Sequence, residues 1–119
     1  MARVLSVSYD KPLMHSRQML REHEGYTVVS SLGFTASIAH CRRGGFDLFI
    51  LAHSIPHPDK QELVDRFRKH CPVPIIVLCR HAFEEAVRGA DHNLEPDPEA
   101  LLELVAEVLQ DSGATRQTV

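Results

Sequence analysis

The sequence lacks a dense run of basic residues, although it contains 13 lysines and arginines among 119 residues. Its formal net charge is −3, so acidic side chains outnumber basic ones. Proteins that bind DNA or RNA usually collect lysine and arginine in a patch or stripe that neutralises phosphates. Direct binding to nucleic acid is therefore not expected.

Long hydrophobic runs are also missing. No apolar stretch approaches the ~20 residues that a helix needs to span a bilayer. The N-terminus does not read as a signal peptide, because residues 1–5 lead directly into a strand pattern. These features predict a cytoplasmic protein that does not associate with a membrane.

Cysteine is scarce, and the three cysteines, Cys41, Cys71 and Cys79, are widely spaced. An odd, scattered set favours reduced thiols over a disulfide framework. At 119 residues the chain is long enough to bury a core without metal or disulfide support. Repeats, low-complexity segments and linkers are lacking as well. We therefore expect a single domain over 1–119, with its core at about 3–110 and a polar tail over 111–119.

Two short, continuous apolar runs do occur, at 48–52 and 74–79. Gly44 and Gly45 precede the first run and Pro56 follows it, so the run is too short for an ordinary helix. An apolar run without alternation is typical of a strand that is buried on both faces in the middle of a parallel sheet. Both runs are therefore predicted to be central strands.

Strand and helix patterns alternate along the rest of the chain. Before the first apolar run, the patterns predict a strand over 3–8, a helix between Asp10 and Gly25, an edge strand over 26–31, and a helix that buries Phe34, Ile38 and Cys41. Between the two runs, they predict a helix that is capped by Asp59 and buries Leu63, Val64, Phe67 and His70. After the second run, they predict a short helix over 82–88, a weak strand over 91–94, and a final helix that is capped by Asp97 and buries Leu101, Leu102, Val105, Val108 and Leu109. This alternation predicts an α/β fold with helices on both faces of a parallel sheet. The fold class is a flavodoxin-like three-layer sandwich with five strands.

Several short segments resemble one family when their order and spacing are taken together. They are Arg3-Val4-Leu5, Gly25-Tyr26-Thr27-Val28, Asp47 with four apolar residues, Ala52 and Pro56 after it, Val73-Pro74-Ile75-Ile76-Val77-Leu78, and Gly89-Ala90-Asp91 with Leu94 and Pro96. The chain is similar to the receiver domain of bacterial response regulators over about residues 3–110. The resemblance implies the sheet order 2-1-3-4-5 and a place in two-component signal transduction or a phosphorelay.

Phosphoryl transfer in receiver domains needs a carboxylate nucleophile, two carboxylates that hold Mg²⁺, and a hydroxyl and a lysine beside the phosphoryl oxygens. The residues that match these positions here are Ala52 for the acceptor, Ser8 and Tyr9 for the acidic pair, Cys79 for the hydroxyl and Glu95 for the lysine. None of these substitutions is conservative. The resemblance is therefore to a degenerate receiver domain that has lost its phospho-acceptor aspartate.

Such a domain is expected to act as a phosphorylation-independent protein-interaction module rather than as an enzyme, and without a cofactor. The partner would be a signalling kinase or an output protein, and a homodimer is possible. Residues 80–91 leave little more than the ~10–12 residues that a crossover between parallel strands requires. The surface around the helix between the fourth and fifth strands is therefore predicted to be remodelled.

Two alternatives remain for the old phosphorylation pocket. The carboxyl edge of the sheet is predicted to contain His53, Cys79 and His81, with His57 on the following loop. The imidazole and thiolate groups of these residues can bind zinc or copper. A metal or small ligand is thus the first alternative, although the spacing matches no compact ligand motif. Retained phosphorylation at another carboxylate, Asp10 or Asp47, is the second.

Five basic residues mark a possible docking surface for an acidic partner. They are Arg42, Arg43, Arg66, Arg68 and Lys69. Charge clusters of this kind are more often solvated helix faces than binding sites.

Overall fold

The computed structural model describes residues 3–9, 27–80, 84–95 and 97–111. The strands are β1 (Arg3–Ser8), β2 (Thr27–Leu32), β3 (Leu48–Leu51), β4 (Ile75–Leu78) and β5 (His92–Leu94), and the described helices are α1 (Phe34–Arg43), α2 (His57–His70) and α3 (Pro98–Asp111). The helix predicted between Asp10 and Gly25 lies outside the described residues, as do His81, Pro96 and the tail from residue 112 onward.

The five strands form one sheet in the order β2-β1-β3-β4-β5, and every neighbouring pair is parallel. β3 is central: Phe49 is level with Leu5 on one side and with Ile75 on the other. The predicted flavodoxin-like fold and its strand order are confirmed. All four residues of β3 and of β4 are buried, as their unbroken apolar sequences predict.

Alternate residues along the central strands enter two separate cores. On one face, Leu5, Val7, Phe49, Leu51, Ile75 and Val77 pack with Ile38 and Cys41 of α1 and with Leu63, Val64 and Phe67 of α2. On the other face, Val4, Val28, Leu48, Ile50, Ile76 and Leu78 pack with Leu101, Val105, Val108 and Leu109 of α3. The sheet is thus the middle layer of three.

The buried face of α2 differs from the predicted one. His70 is exposed, and Lys60 is buried in the same stripe as Leu63 and Phe67. Asp59 is not the N-cap, because the helix already begins at His57 with Pro56 before it. A helix can begin there without a side-chain cap because a proline lies in its first turn.

The start of α3 agrees with the prediction. The Asp97 carboxylate accepts hydrogen bonds from the backbone N–H groups of Glu99 and Ala100, at 3.1 and 3.4 Å. This satisfies donors that a helix N-terminus otherwise leaves unpaired.

The short helix predicted over 82–88 is wrong for the described part, because residues 84–90 contain no helix. Side chains from neighbouring elements bind the backbone there: Asn93 accepts from the N–H of Val87 at 2.9 Å, and Gln61 accepts from the N–H of Arg88 at 3.0 Å. Side-chain partners of this kind compete with helical hydrogen bonds. The described part of the connection, residues 84–91, is therefore a loop fastened to α2 and β5.

Candidate functional site

The carboxyl edge of the sheet brings together four of the five residues that the sequence resemblance matches to the phosphorylation site of receiver domains. Ser8 is the last residue of β1, Ala52 follows β3, Cys79 follows β4 and Glu95 follows β5. Backbone hydrogen bonds between the strands continue for one residue beyond β3 and β4. Ala52 donates its N–H to the carbonyl of Val7 at 2.9 Å, and Cys79 donates its N–H to the carbonyl of Leu94 at 2.7 Å. The four residues thus lie along one rim, where ligand sites of doubly wound sheets are found.

Ala52 lies on this rim and is the residue that the sequence resemblance matches to the acceptor. Its side chain is a methyl group that packs in the core shared with α1 and α2, and only 8% of the residue is exposed. His53 follows it in a turn and is half-buried. Asp47 lies at the opposite edge of the sheet, before β3, where its carboxylate accepts the N–H of Arg3 at 2.8 Å.

Ser8 and Tyr9 are the residues that the sequence resemblance matches to the acidic pair. Ser8 is buried, and Tyr9 is half-buried against the core on the side of α1 and α2. Burial raises the pKa of Tyr9 to about 12, and the nearby Asp59 carboxylate adds to the increase, although the two groups form no hydrogen bond of ordinary geometry. Both hydroxyls are therefore neutral near pH 7 and offer no charged oxygen to a divalent cation.

A buried ion pair lies beside this rim. Lys60 of α2 is fully buried, and its Nζ lies 2.9 Å from Oε2 and 3.2 Å from Oε1 of Glu84 in the β4–β5 connection. Glu84 also accepts the backbone N–H of Arg80. A further contact joins the same elements, because the His57 ring Nε2 lies 3.1 Å from the carbonyl oxygen of Glu85. These contacts fasten the first turn of α2 to the connection.

Lys60 was not predicted to be a buried or functional residue, although its spacing in the sequence indicates that it is buried. Lys60 precedes Leu63, Val64 and Phe67 by three, four and seven residues, which places it on their side of the helix. A lysine in such a stripe is buried only when it has a partner. Glu84 is 24 residues away and follows no local pattern, so the partner was not identifiable.

The ion pair sets the charge around Cys79. Burial acts to raise the pKa of Glu84, but the Arg80 N–H, the Lys60 ammonium and His57 outweigh it and lower that pKa. Burial and the Glu84 carboxylate raise the pKa of Cys79, Lys60 opposes the rise, and Glu95 adds to it. The rim therefore carries a neutral thiol beside an ionised carboxylate and a lysine.

Those predicted metal ligands that the structure describes do not belong to any metal-binding group. Within 3–9, 27–80, 84–95 and 97–111, no three histidine, cysteine, aspartate or glutamate side chains are grouped to hold an ion. His81 lies outside those ranges. A protonated Cys79 is also a poor ligand, because metals bind the thiolate. Nothing in the described part of the chain favours the metal alternative.

Of the five basic residues, Arg43 and Lys69 are exposed, and the other three fall into two sets. Arg68 is structural: it donates to the carbonyl oxygens of Gly89 and Val73 at 2.8 and 3.0 Å and pairs with the Asp91 carboxylate. Arg66 pairs with Glu62 on the same helix at 2.8 Å. Together with Arg42, Arg66 also borders a surface cavity of about 390 Å³, whose other lining residues are Phe34, Thr35, Ile38 and Ala39.

No helix in the portion of the chain that the structure covers is both long enough and apolar enough to cross a bilayer.

Comparison with solved structures returns response regulator receiver domains. A CheY-like receiver domain from Methanospirillum hungatei has a TM-score of 0.80 at 23% identity, covering 96% of this chain and 98% of that one. TrrA from Thermotoga maritima, solved in complex with Mg²⁺ and BeF, has a TM-score of 0.80 at 22% identity, covering 92% and 100%. The chemotaxis protein CheY4 of Vibrio cholerae has a TM-score of 0.75 at 24% identity, covering 92% and 99%.

No family model matches the sequence, and a search of curated proteins found no match either. The similarity to the solved structures establishes that the chain has the receiver-domain fold of two-component response regulators.

Proposed function

We propose that this chain is a single pseudo-receiver domain, with its core over about 3–110, that binds a protein partner in two-component signalling without being phosphorylated. One observation carries the proposal: the residue after β3, which the sequence resemblance matches to the acceptor aspartate, is Ala52, a buried methyl group. A methyl group has no lone pair with which to attack phosphorus. The domain is not an enzyme in this proposal and uses no cofactor.

The neighbours of Ala52 support the same function. A divalent cation such as Mg²⁺ is usually held by one or two carboxylates in addition to phosphate oxygens. TrrA was solved with Mg²⁺ and BeF bound. Here Ser8 and Tyr9 supply neutral hydroxyls at the matching positions, and Glu95 places a negative charge where a lysine would neutralise phosphate.

The buried ion pair supports independence from phosphorylation. Lys60 and Glu84 join α2 to the β4–β5 connection, a contact that needs no added phosphoryl group. Breaking one side of a buried pair leaves an uncompensated charge, which typically costs about 3–5 kcal/mol. In the proposed module, the pair therefore holds the connection in one arrangement.

The proposed partner is a protein, either a signalling kinase or an output protein, and a second copy of the chain is a further candidate. The net charge of −3 does not favour nucleic acid. A cytoplasmic location is part of the proposal, because two-component partners of this kind act there.

Phosphorylation is tested by intact-mass measurement after incubation with Mg²⁺ and acetyl phosphate. We expect no gain of a phosphoryl group, while a receiver domain that retains its aspartate gains one under the same conditions. Hydroxylamine treatment then distinguishes an acyl phosphate from other adducts. A hydroxylamine-sensitive phosphoryl group on this chain would contradict the proposal.

Partner binding is tested next by co-purification from the native host, followed by titration of the purified partner. The dissociation constant should be the same with and without Mg²⁺ and acetyl phosphate. A change in affinity that requires the phosphodonor would show that binding depends on phosphorylation after all.

A further inference from the structure

Two cysteines that play no part in the proposed function lie against each other. Cys41 is in the last turn of α1, and Cys71 directly follows α2, 30 residues later. Their sulfur atoms are 3.5 Å apart, and the Cys71 thiol also donates to the carbonyl oxygen of Cys41 at 3.4 Å. Both are free thiols in this structure.

We propose that Cys41 and Cys71 are a redox modification site that forms a reversible intramolecular disulfide, with a low-molecular-weight disulfide such as oxidised glutathione as the oxidant. The sulfur atoms must approach from 3.5 Å to the bond length of about 2.05 Å. The backbone of Cys71 is already anchored, since its N–H bonds to the carbonyl of Phe67 at 2.9 Å. The approach would then come from rotation of the two side chains.

Exposure assigns a different role to each cysteine. Cys71 is half-buried and can meet the oxidant, while only 1% of Cys41 is exposed. The Cys71 thiolate attacks one sulfur of oxidised glutathione and releases one glutathione thiolate, leaving a mixed disulfide. Cys41 then loses its proton, attacks the Cys71 sulfur and displaces the second glutathione thiolate. Two protein thiols and one small disulfide thus become one protein disulfide and two glutathione thiols.

Oxidation would act on the two helices that line the surface cavity. Ile38 and Arg42 of α1 and Arg66 of α2 are among its lining residues, and the disulfide would join the ends of these same helices covalently. Burial, together with the hydrogen bond between the Cys41 thiol and the Cys71 sulfur, raises the pKa of Cys41 to about 12. The second step should therefore be faster at alkaline pH, because only the thiolate attacks a disulfide.

The test begins with the unmodified full chain and oxidised glutathione. After acid quenching, denaturation and alkylation, the number of thiols that take up the alkylating reagent should fall from three to one. In a separate sample that is not alkylated, the intact mass should fall by two hydrogen atoms. Dithiothreitol should restore both values. If all three thiols remain free, or if the final product carries bound glutathione, the proposal is wrong.

Peptide mapping locates the bond. Trypsin releases Cys41 within residues 22–42, and it releases Cys71 and Cys79 together within 70–80. Cys79→Ser removes this ambiguity and leaves only the proposed pair. A cross-linked peptide of 22–42 with 70–80 from this variant is the expected result, and two separately alkylated peptides would overturn the proposal.

Two further variants in the Cys79→Ser background separate the roles of the cysteines. Adding Cys41→Ser should trap a stable mixed disulfide on Cys71, because the second thiol is missing. Adding Cys71→Ser should leave Cys41 unmodified, because its sulfur is buried. Equal rates of glutathione addition to the two variants would overturn the assignment of Cys71 as the attacking residue.

Discussion

Lys60 and Glu84 form a buried ion pair across 24 residues of sequence, with 2.9 Å between Nζ and Oε2. The lysine side chain is fully buried and the glutamate side chain is only 10% exposed. Desolvation of both charges opposes folding, so the pair is no simple source of stability. Its main effect is to fix the β4–β5 connection against α2, beside the rim that holds Ala52 and Cys79.

Removal of the lysine charge should destabilise the domain strongly. Lys60→Met leaves the Glu84 carboxylate buried without its main partner, which should lower the free energy of unfolding by about 3–5 kcal/mol. Arg66→Met is the matched control, because it breaks the exposed Arg66–Glu62 pair on the same helix and should cost less than about 1 kcal/mol. Urea denaturation measures both. Equal losses for the two variants would mean that the buried pair has no special role.

The double variant Lys60→Met, Glu84→Leu should recover much of the stability that Lys60→Met loses. Apolar residues of similar volume often replace a buried pair at little or no cost, because neither charge then has to be desolvated. The comparison also needs Glu84→Leu alone. If the losses in free energy of unfolding from Lys60→Met and from Glu84→Leu simply add in the double variant, the two side chains do not interact in solution.

The stabilising effect of Glu84 should depend on pH. Its folded-state pKa is lower than the ordinary value of 4.5, so its contribution is fully present above the unfolded pKa and is lost as pH falls through the folded one. The stability difference between the unmodified protein and Glu84→Gln should therefore be largest near neutral pH and shrink in acid. Denaturation of both proteins across that range gives the difference, and a constant value would contradict the assignment.

Val105 should contribute to stability through burial in the core that α3 covers. It is fully buried, so Val105→Ala should cost about 1–3 kcal/mol through lost apolar contact and the cavity left behind. Glu103, exposed on the same helix, provides the control: Glu103→Ala should change stability by less than about 0.5 kcal/mol. A loss below that value for Val105→Ala would mean that this apolar stripe serves a partner instead.

Restoring only the acceptor should not restore phosphorylation. Ala52→Asp supplies a nucleophile, but Ser8 and Tyr9 still offer no charged ligands for Mg²⁺, and Glu95 still repels phosphate. We expect no phosphoryl gain in an intact-mass measurement with acetyl phosphate. Adding Ser8→Asp, Tyr9→Asp and Glu95→Lys to Ala52→Asp should produce measurable reaction. Efficient phosphorylation of the single variant would show that the surrounding positions matter less than we propose.

The sequence determined the elements whose signals are local. Unbroken apolar runs predicted β3 and β4, and the capping aspartate and helical spacing predicted α3, because burial of a short segment follows its own periodicity. The resemblance to receiver domains supplied the strand order. It also placed Ala52 at the matching position, and a parallel sheet necessarily brings the strand ends to one rim.

Only the tertiary structure determined the contacts between distant segments. Glu84 pairs with Lys60, and Cys71 contacts Cys41 across 30 residues of sequence. Asn93 and Gln61 bind the backbone of the β4–β5 connection, where a helix was predicted. No local periodicity encodes such pairs, because each depends on how two elements pack after the chain has folded. The helical spacing therefore indicated that Lys60 is buried, but only the fold identified Glu84 as the group that compensates its charge.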